Sequence, residues 1–162
     1  MIVTEERLVK NPVHHFRGRS DHTLDGKGRI NIPTRFREVL RLQFNNERLM
    51  VFPWRNCLKA YPLSRWEELE LSLLATGKKH PETIKMVRFM VGGVVECPVD
   101  KQGRILLPAK MRADCGISKE VLVSGMISYF EIWDSVTWEK ENLPAEEDFK
   151  GFELNQLESG FF

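Results

Sequence analysis

Apolar and polar positions alternate over a series of short stretches, which predicts strands over residues 29–32, 48–54, 57–61, 94–99, 104–107, 121–125 and 129–133. A further strand begins at Phe16 and runs toward Asp25. Four pairs of stretches read as hairpins: the strand from Phe16 with 29–32 around Asp25-Gly26-Lys27-Gly28, 48–54 with 57–61 around Pro53-Trp54-Arg55-Asn56, 94–99 with 104–107, and 121–125 with 129–133. Helical spacing appears only between them. Phe36, Val39 and Leu40 form a short stripe after Pro33, which suits a first helical turn. Ser64-x-x-Glu67 reads as a capping box ahead of Trp66, Leu69 and Leu73, with a break at 77–80. Pro81 opens a helix with Ile84, Val87 and Val91 facing inward, ended by Gly92-Gly93. A short helix over 108–115 is stopped by Gly116, and Asp134 caps a last helix through Trp138. These stripes read as core, although Phe52, Trp54 and Met90 fit a subunit interface equally well.

The pattern occurs twice. Asp25, Gly28, Arg29, Ile30, Pro33 and Arg37 recur as Asp100, Gly103, Arg104, Ile105, Pro108 and Arg112, each 75 residues on, and Gly18 recurs as Gly93. Downstream the offset is 72, pairing Val51 with Val123, Tyr61 with Trp133 and Trp66 with Trp138. Each copy is therefore β-β-α-β-β followed by a helix. Four short strands and a small helix hold no core alone, so the copies are expected to interlock and bury their apolar faces against each other. The expected fold is mixed α/β, mostly β: one barrel-like body of two pseudo-symmetric repeats with helices outside. The predicted divisions are a mobile leader over 1–13, a first repeat over 14–80, a linking helix and second repeat over 81–138, and an acidic, loosely held tail over 139–162.

Composition narrows the classes of function. An apolar fraction of 42% is ordinary for a globular chain, and no apolar run reaches the length of a membrane span. The start lacks the apolar core of a signal peptide, so the chain is expected in the cytoplasm. Three scattered cysteines, Cys57, Cys97 and Cys115, fit reduced, buried thiols rather than a disulfide framework. They and the four histidines match no metal-ligand spacing, and no metal or other cofactor is expected. The net charge of +1 hides an asymmetry: the last 24 residues carry seven acids and two bases, leaving +6 on the remainder. A basic body with an acidic tail fits a polyanion partner, or a tail that shields the basic face. Residues 17–41 hold seven bases against three acids, which makes the first copy the more basic of the two.

The repeated motif carries the candidate chemistry. Asp25-Gly26-Lys27-Gly28 supplies turn residues: a carboxylate for backbone amides, and two glycines that tolerate positive φ. Asp25, Gly28, Asp100 and Gly103 therefore read as turn structure. Arg29, beside glycines on a basic strand, reads as functional, because a guanidinium fork suits phosphate or a guanine edge. No phosphate-binding loop or nucleophile elbow is present, and no small-molecule substrate is expected.

The run Phe16-Arg17-Gly18, His22-x-Leu24-Asp25-x-Lys27-Gly28-Arg29-x-x-x-Pro33-x-x-Phe36-Arg37, then Gly92-Gly93, Asp100-x-Gln102-Gly103-Arg104-Ile105-x-x-Pro108 and Phe130-Glu131-Ile132-Trp133, resembles the MraZ family from about Phe16 to Trp138. The resemblance implies a tandem AbrB-like, swapped-hairpin fold and ring-shaped homo-oligomers. It implies a nucleoid-associated regulator that binds double-stranded DNA at short direct repeats upstream of its own operon, the division and cell wall cluster, and represses it. Carried over by residue, Arg29 with Lys27 is the primary DNA contact, Arg17 and Arg19 are nearby support, and Arg104 is the weaker counterpart. Arg35 and Arg37 join them as candidates from the basic first copy. The family pattern begins at Phe16, so the residues before it read either as a misassigned start or as an added leader, and a leader folded over the Arg17 strand would regulate access to DNA.

Two other readings stay open. In one, the protein is an oligomeric scaffold whose Asp-x-x-x-Arg motifs are purely structural. In the other, Asp25 and Asp100 converge as an acid–base pair of an enzyme.

Overall fold

The computed structural model describes residues 15–160. The leader predicted over 1–13 lies outside them. Eight strands follow in chain order: β1 (Arg19–Thr23), β2 (Arg29–Asn31), β3 (Arg48–Trp54), β4 (Cys57–Pro62), β5 (Val95–Pro98), β6 (Arg104–Leu106), β7 (Glu120–Gly125) and β8 (Phe130–Asp134). Helices α1 (Thr34–Val39), α2 (Leu63–Lys79), α3 (Ile84–Gly93), α4 (Ala109–Asp114), α5 (Ser135–Asn142) and α6 (Glu146–Ser159) lie between and after them. A π-helical turn, Leu40–Phe44, extends α1, and a 3-10 turn, Pro81–Thr83, leads into α3. Each half thus reads strand, strand, helix, strand, strand, helix.

Pairing crosses between the halves. Six strands form one antiparallel sheet in the order β1-β7-β8-β4-β3-β5, and β2 pairs with β6 in a separate ribbon. The six-strand order maps onto itself when each strand is exchanged for its copy, so the topology has pseudo-twofold symmetry. The expected hairpin of 94–99 with 104–107 is corrected. β5 pairs with β3 of the first half, Leu49 opposite Cys97, and β6 pairs with β2, Ile30 opposite Ile105. The expected hairpin of the Phe16 strand with 29–32 is corrected too: β1 crosses to β7, His22 opposite Val121, and β2 lies in the other ribbon. The sheet stays open, with β1 and β5 as its edges, so the expected barrel-like closure is corrected as well.

The reason is burial. One sheet face sends Leu49, Val51, Leu58, Val121, Val123, Phe130 and Ile132 into a core shared with Ile30, Ile105, Leu107, Phe36, Leu40 and Met111. Neither half holds enough of these to exclude water alone, and exchanging strands lets both fill one core. Phe16 joins it, edge-on to Phe36 with ring centroids 5.3 Å apart and tilted against Phe130 at 5.4 Å. The opposite sheet face is covered twice. Phe52 packs on Trp66 of α2 and Met90 of α3, and Cys57 and Trp133 pack on Trp138 of α5.

Several local expectations change. Phe52 and Met90 are core residues of the chain itself, with Trp54 packed against the same cluster. On α3 it is Met90 that points inward, while Ile84 and Val91 are exposed. Helix α2 starts at Leu63 after Pro62, which puts Ser64 inside its first turn, and no side chain caps it. It also runs through Gly77 to Lys79. The Asp134 carboxylate does not cap α5; it accepts from the Ser118 amide at 3.1 Å and hydroxyl at 3.0 Å. Part of the acidic tail forms α6, started where the Ala145 amide donates to the Asp148 carboxylate at 2.8 Å, and none of its residues is buried. All three cysteines are free and buried, as their scatter implied.

Candidate nucleic-acid interface

Two identical turns feed the β2–β6 ribbon, one at each end. In the first, Asp25 Oδ1 accepts from the Lys27 and Arg29 amides, both at 2.9 Å. Its Oδ2 accepts from Arg29 Nε at 2.7 Å. In the second, Asp100 Oδ1 accepts from the Gln102 and Arg104 amides, both at 2.9 Å, and Oδ2 from Arg104 Nε at 3.0 Å. This geometry satisfies turn amides and orients the arginine with the same carboxylate. The Arg29 amide, then its side chain and the Lys27 amide, hold the Asp25 carboxyl down at about 2. Asp100 is lowered for the same reasons, first the Arg104 amide, then the Gln102 amide and the Arg104 side chain.

Only one glycine of the Gly26–Gly28 pair needs a left-handed backbone. Gly28 has φ +86° and its copy Gly103 has φ +79°, whereas Gly26 has no positive φ. A Cβ on Gly28 would lie 2.8 Å from the Arg112 guanidinium, and one on Gly103 would lie 2.5 Å from that of Arg37. Each turn is therefore backed by an arginine from the helix of the other half. Arg112 Nε also donates to Leu107 O at 3.1 Å. Backbone bonds repeat the exchange: Leu107 N donates to Gly28 O at 2.9 Å and Ile32 N to Gly103 O at 2.8 Å.

Strand alternation sets which residues face out. Ile30 and Ile105 are each 1% exposed and point into the core. Arg29 and Arg104 are on the other face, with side chains 30% and 24% exposed. Arg104 reaches across, its Nη1 standing 3.9 Å from Asp25 Oδ2. Among the described residues no hydrogen bond engages the Arg29 Nη groups. The structure thus gathers Arg29, Arg104 and exposed Lys27 on one ribbon with its flanking turn.

The other sequence candidates lie elsewhere. Arg37 sits behind the Gly103 turn with its Nε buried and unbonded. Arg17 and Arg19 are at the far end of β1 from the Asp25 turn, with the Arg19 guanidinium 4.8 Å from the Trp138 ring centroid. Arg35 packs over Gly18, whose φ is +92°. Arg112 was not among the sequence candidates, although its recurrence with Arg37 was the signal that could have found it.

Asp25 and Asp100 do converge on Arg104. Both are held below the ordinary carboxylate range, however, whereas a shared proton requires one of them to be raised. The two carboxylates are ionised supports for the arginines at neutral pH. Among the described residues no group of three or more His, Cys, Asp or Glu side chains is placed to hold a metal, and no helix is long and apolar enough to cross a membrane.

The sequence matches the family described as MraZ protein twice, over residues 15–88 and 90–151. A Transcriptional regulator MraZ of Desulfitobacterium hafniense is 40% identical over 134 residues, covering 83% of this chain and 91% of that protein. The protein of the same name from Syntrophobacter fumaroxidans is 39% identical over 125 residues, 77% of this chain and 83% of its own. That of Pediococcus pentosaceus is 38% identical over 147 residues, 90% and 99% respectively.

Proposed function

This chain belongs to the MraZ family, and on that premise we propose that it is a transcriptional regulator that binds double-stranded DNA through the β2–β6 ribbon. One observation carries the reading. Two arginines, each clamped along one edge by an aspartate of its own turn, lie together on the outward face of a two-stranded ribbon. A ribbon of this kind fits the major groove, about 12 Å wide, and an Arg there pairs with guanine O6 and N7. The clamp reduces the rotamer freedom each arginine loses on binding.

In this reading Arg29 and Lys27 make the primary contact and Arg104 its counterpart from the second half. Arg17, Arg19 and Arg35 serve phosphates along the same molecule. Arg37 supports the Gly103 turn rather than DNA directly. The sites are short direct repeats upstream of its own operon, the division and cell wall cluster, and the effect is repression at the nucleoid. A ring of copies would engage successive repeats, each adding to the effective concentration of the next. Self-association is supported by exposed Ile84, Met86, Phe89 and Val91 on α3 and by Val95 on β5. A groove of about 550 Å³ runs beside them, lined by Phe89, Val95, Pro108 and Met111 among others.

Fluorescence anisotropy with the protein's own upstream DNA and a scrambled fragment tests this, with size-exclusion mass run alongside. Preference for the upstream fragment, lost in Arg29→Ala at unchanged mass, is the expected result. Equal binding to both fragments, or loss only through collapse of the oligomer, would leave the arginine motifs as structural parts of a scaffold.

A further inference from the structure

The outward face of the ribbon carries two residues that the arginines do not account for. The register sets Arg29 opposite Leu106 and Asn31 opposite Arg104. With Ile30 and Ile105 turned inward, Arg29, Asn31, Arg104 and Leu106 share the other face. The arginines occupy one diagonal, and Asn31 and Leu106 the other. Asn31 is exposed, and Leu106 is 53% exposed although it stands beside two charged side chains. Among the described residues nothing covers it.

The pseudo-twofold gives this placement its meaning. Exchange of the halves brings Arg29 onto Arg104, residue for residue, but brings Asn31 onto Leu106. The ribbon is symmetric in its charged contacts and asymmetric in the pair between them. Along a strand, Arg29 and Asn31 are about 6.7 Å apart, close to two base-pair steps, and opposed residues across the ribbon are about 5 Å apart. All four side chains therefore fall within the width of one major groove.

We propose that Asn31 and Leu106 are specificity-determining residues that read base edges between the two arginines. An Asn amide pairs with adenine N6 and N7, and an exposed leucine meets the C5-methyl of thymine. Their difference lets a nearly symmetric ribbon read an asymmetric sequence, and so bind each repeat in one orientation. This inference rests on the DNA-binding reading of the ribbon.

The test pairs protein variants with base analogues in the upstream fragment, using the full chain. Each adenine of the bound repeat is replaced in turn by 7-deazaadenine, and each thymine by uracil. Affinities are measured for wild type, Asn31→Ala, Leu106→Ala and Arg29→Ala, with oligomer mass monitored. The expected result is one adenine position where 7-deazaadenine weakens wild type about 10-fold and leaves Asn31→Ala unaffected. One thymine position should likewise lose affinity as uracil in wild type but not in Leu106→Ala. If every analogue acts equally on wild type and on both variants, Asn31 and Leu106 read no base. If Leu106→Ala instead lowers the oligomer mass, its exposed side chain is a contact between copies, which also overturns the proposal. Arg29→Ala separates the levels. If it keeps full preference for the upstream fragment, the ribbon reading fails and this inference with it. If it loses that preference while the two variants keep every analogue effect, only this inference fails.

Discussion

Replacing Gly28 by alanine tests the cross-bracing of the turns. Its φ of +86° places a Cβ in the left-handed region, which costs about 1–2 kcal/mol. The new Cβ would also lie 2.8 Å from the Arg112 guanidinium. That guanidinium is the far end of a flexible side chain, so it moves aside, and moving breaks its 3.1 Å bond to Leu107 O. A hydrogen bond from a charged donor contributes about 1.5 kcal/mol or somewhat more. The expected total is about 2.5–3.5 kcal/mol, or a fall in Tm of roughly 5–14 °C for a chain of this size. Urea unfolding of Gly28→Ala, Arg112→Ala and the double variant separates the two contributions. In the Arg112→Ala background Gly28→Ala should cost only the backbone part, about 1–2 kcal/mol. Gly26→Ala is the control: φ is not positive and no atom lies within 4 Å of its Cβ, so the change should stay within about 0.5 kcal/mol. Equal costs for Gly28→Ala with and without Arg112 would refute the idea that the second half's arginine braces the first half's turn.

Three further outcomes follow from the same structure. Asp25 and Asp100 have folded pKa values below those of the unfolded chain, so their stabilisation is complete above about pH 5 and is lost as pH falls through the folded values, about 2 for Asp25. The Tm gap between wild type and Asp25→Asn should therefore be constant from pH 8 to 5 and close at lower pH. Burial pushes the Cys97 and Cys115 thiols up to about 11 and raises Cys57 also, so iodoacetamide at pH 8 should label all three only after unfolding, as read by mass spectrometry. Phe16 is 1% exposed among Phe36, Phe44 and Phe130, so Phe16→Ala should cost about 3–5 kcal/mol in urea unfolding.

What could be read from the sequence was local or repeated. The turn of Asp25 through Arg29 is written in contiguous residues, and its recurrence at Asp100 showed it to be a unit. The same locality gave the 48–54 and 57–61 hairpin, whose turn residues are adjacent in the chain. The partners of β1, β2 and β5 could not be read this way. Each short strand has an inward apolar face that suits several neighbours, and the choice is fixed only when two half-cores combine into one. The face of α3 was misread because Ile84 and Val91 match helical spacing as well as Met90 does, and spacing does not say which stripe meets the sheet. The helix in the tail went unread for another reason: its acids suggest solvation, and α6 buries no residue, yet Glu, Leu, Lys and Gln are good helix formers and Asp148 closes its first turn. On the ribbon, Arg29 and Arg104 were legible from recurrence. The brace from Arg112 and the placing of Asn31 and Leu106 on the arginines' face were not, because both depend on the strand exchange.

The central claim is that Arg29 reads a base in the major groove, and methylation interference tests it most directly. Upstream DNA is partly methylated at guanine N7, and the bound and free fractions are compared for wild type and Arg29→Ala. The account predicts guanines within the repeat whose methylation blocks wild type, at least one of which no longer matters to Arg29→Ala. Identical interference patterns for the two proteins, or none for either, would contradict it.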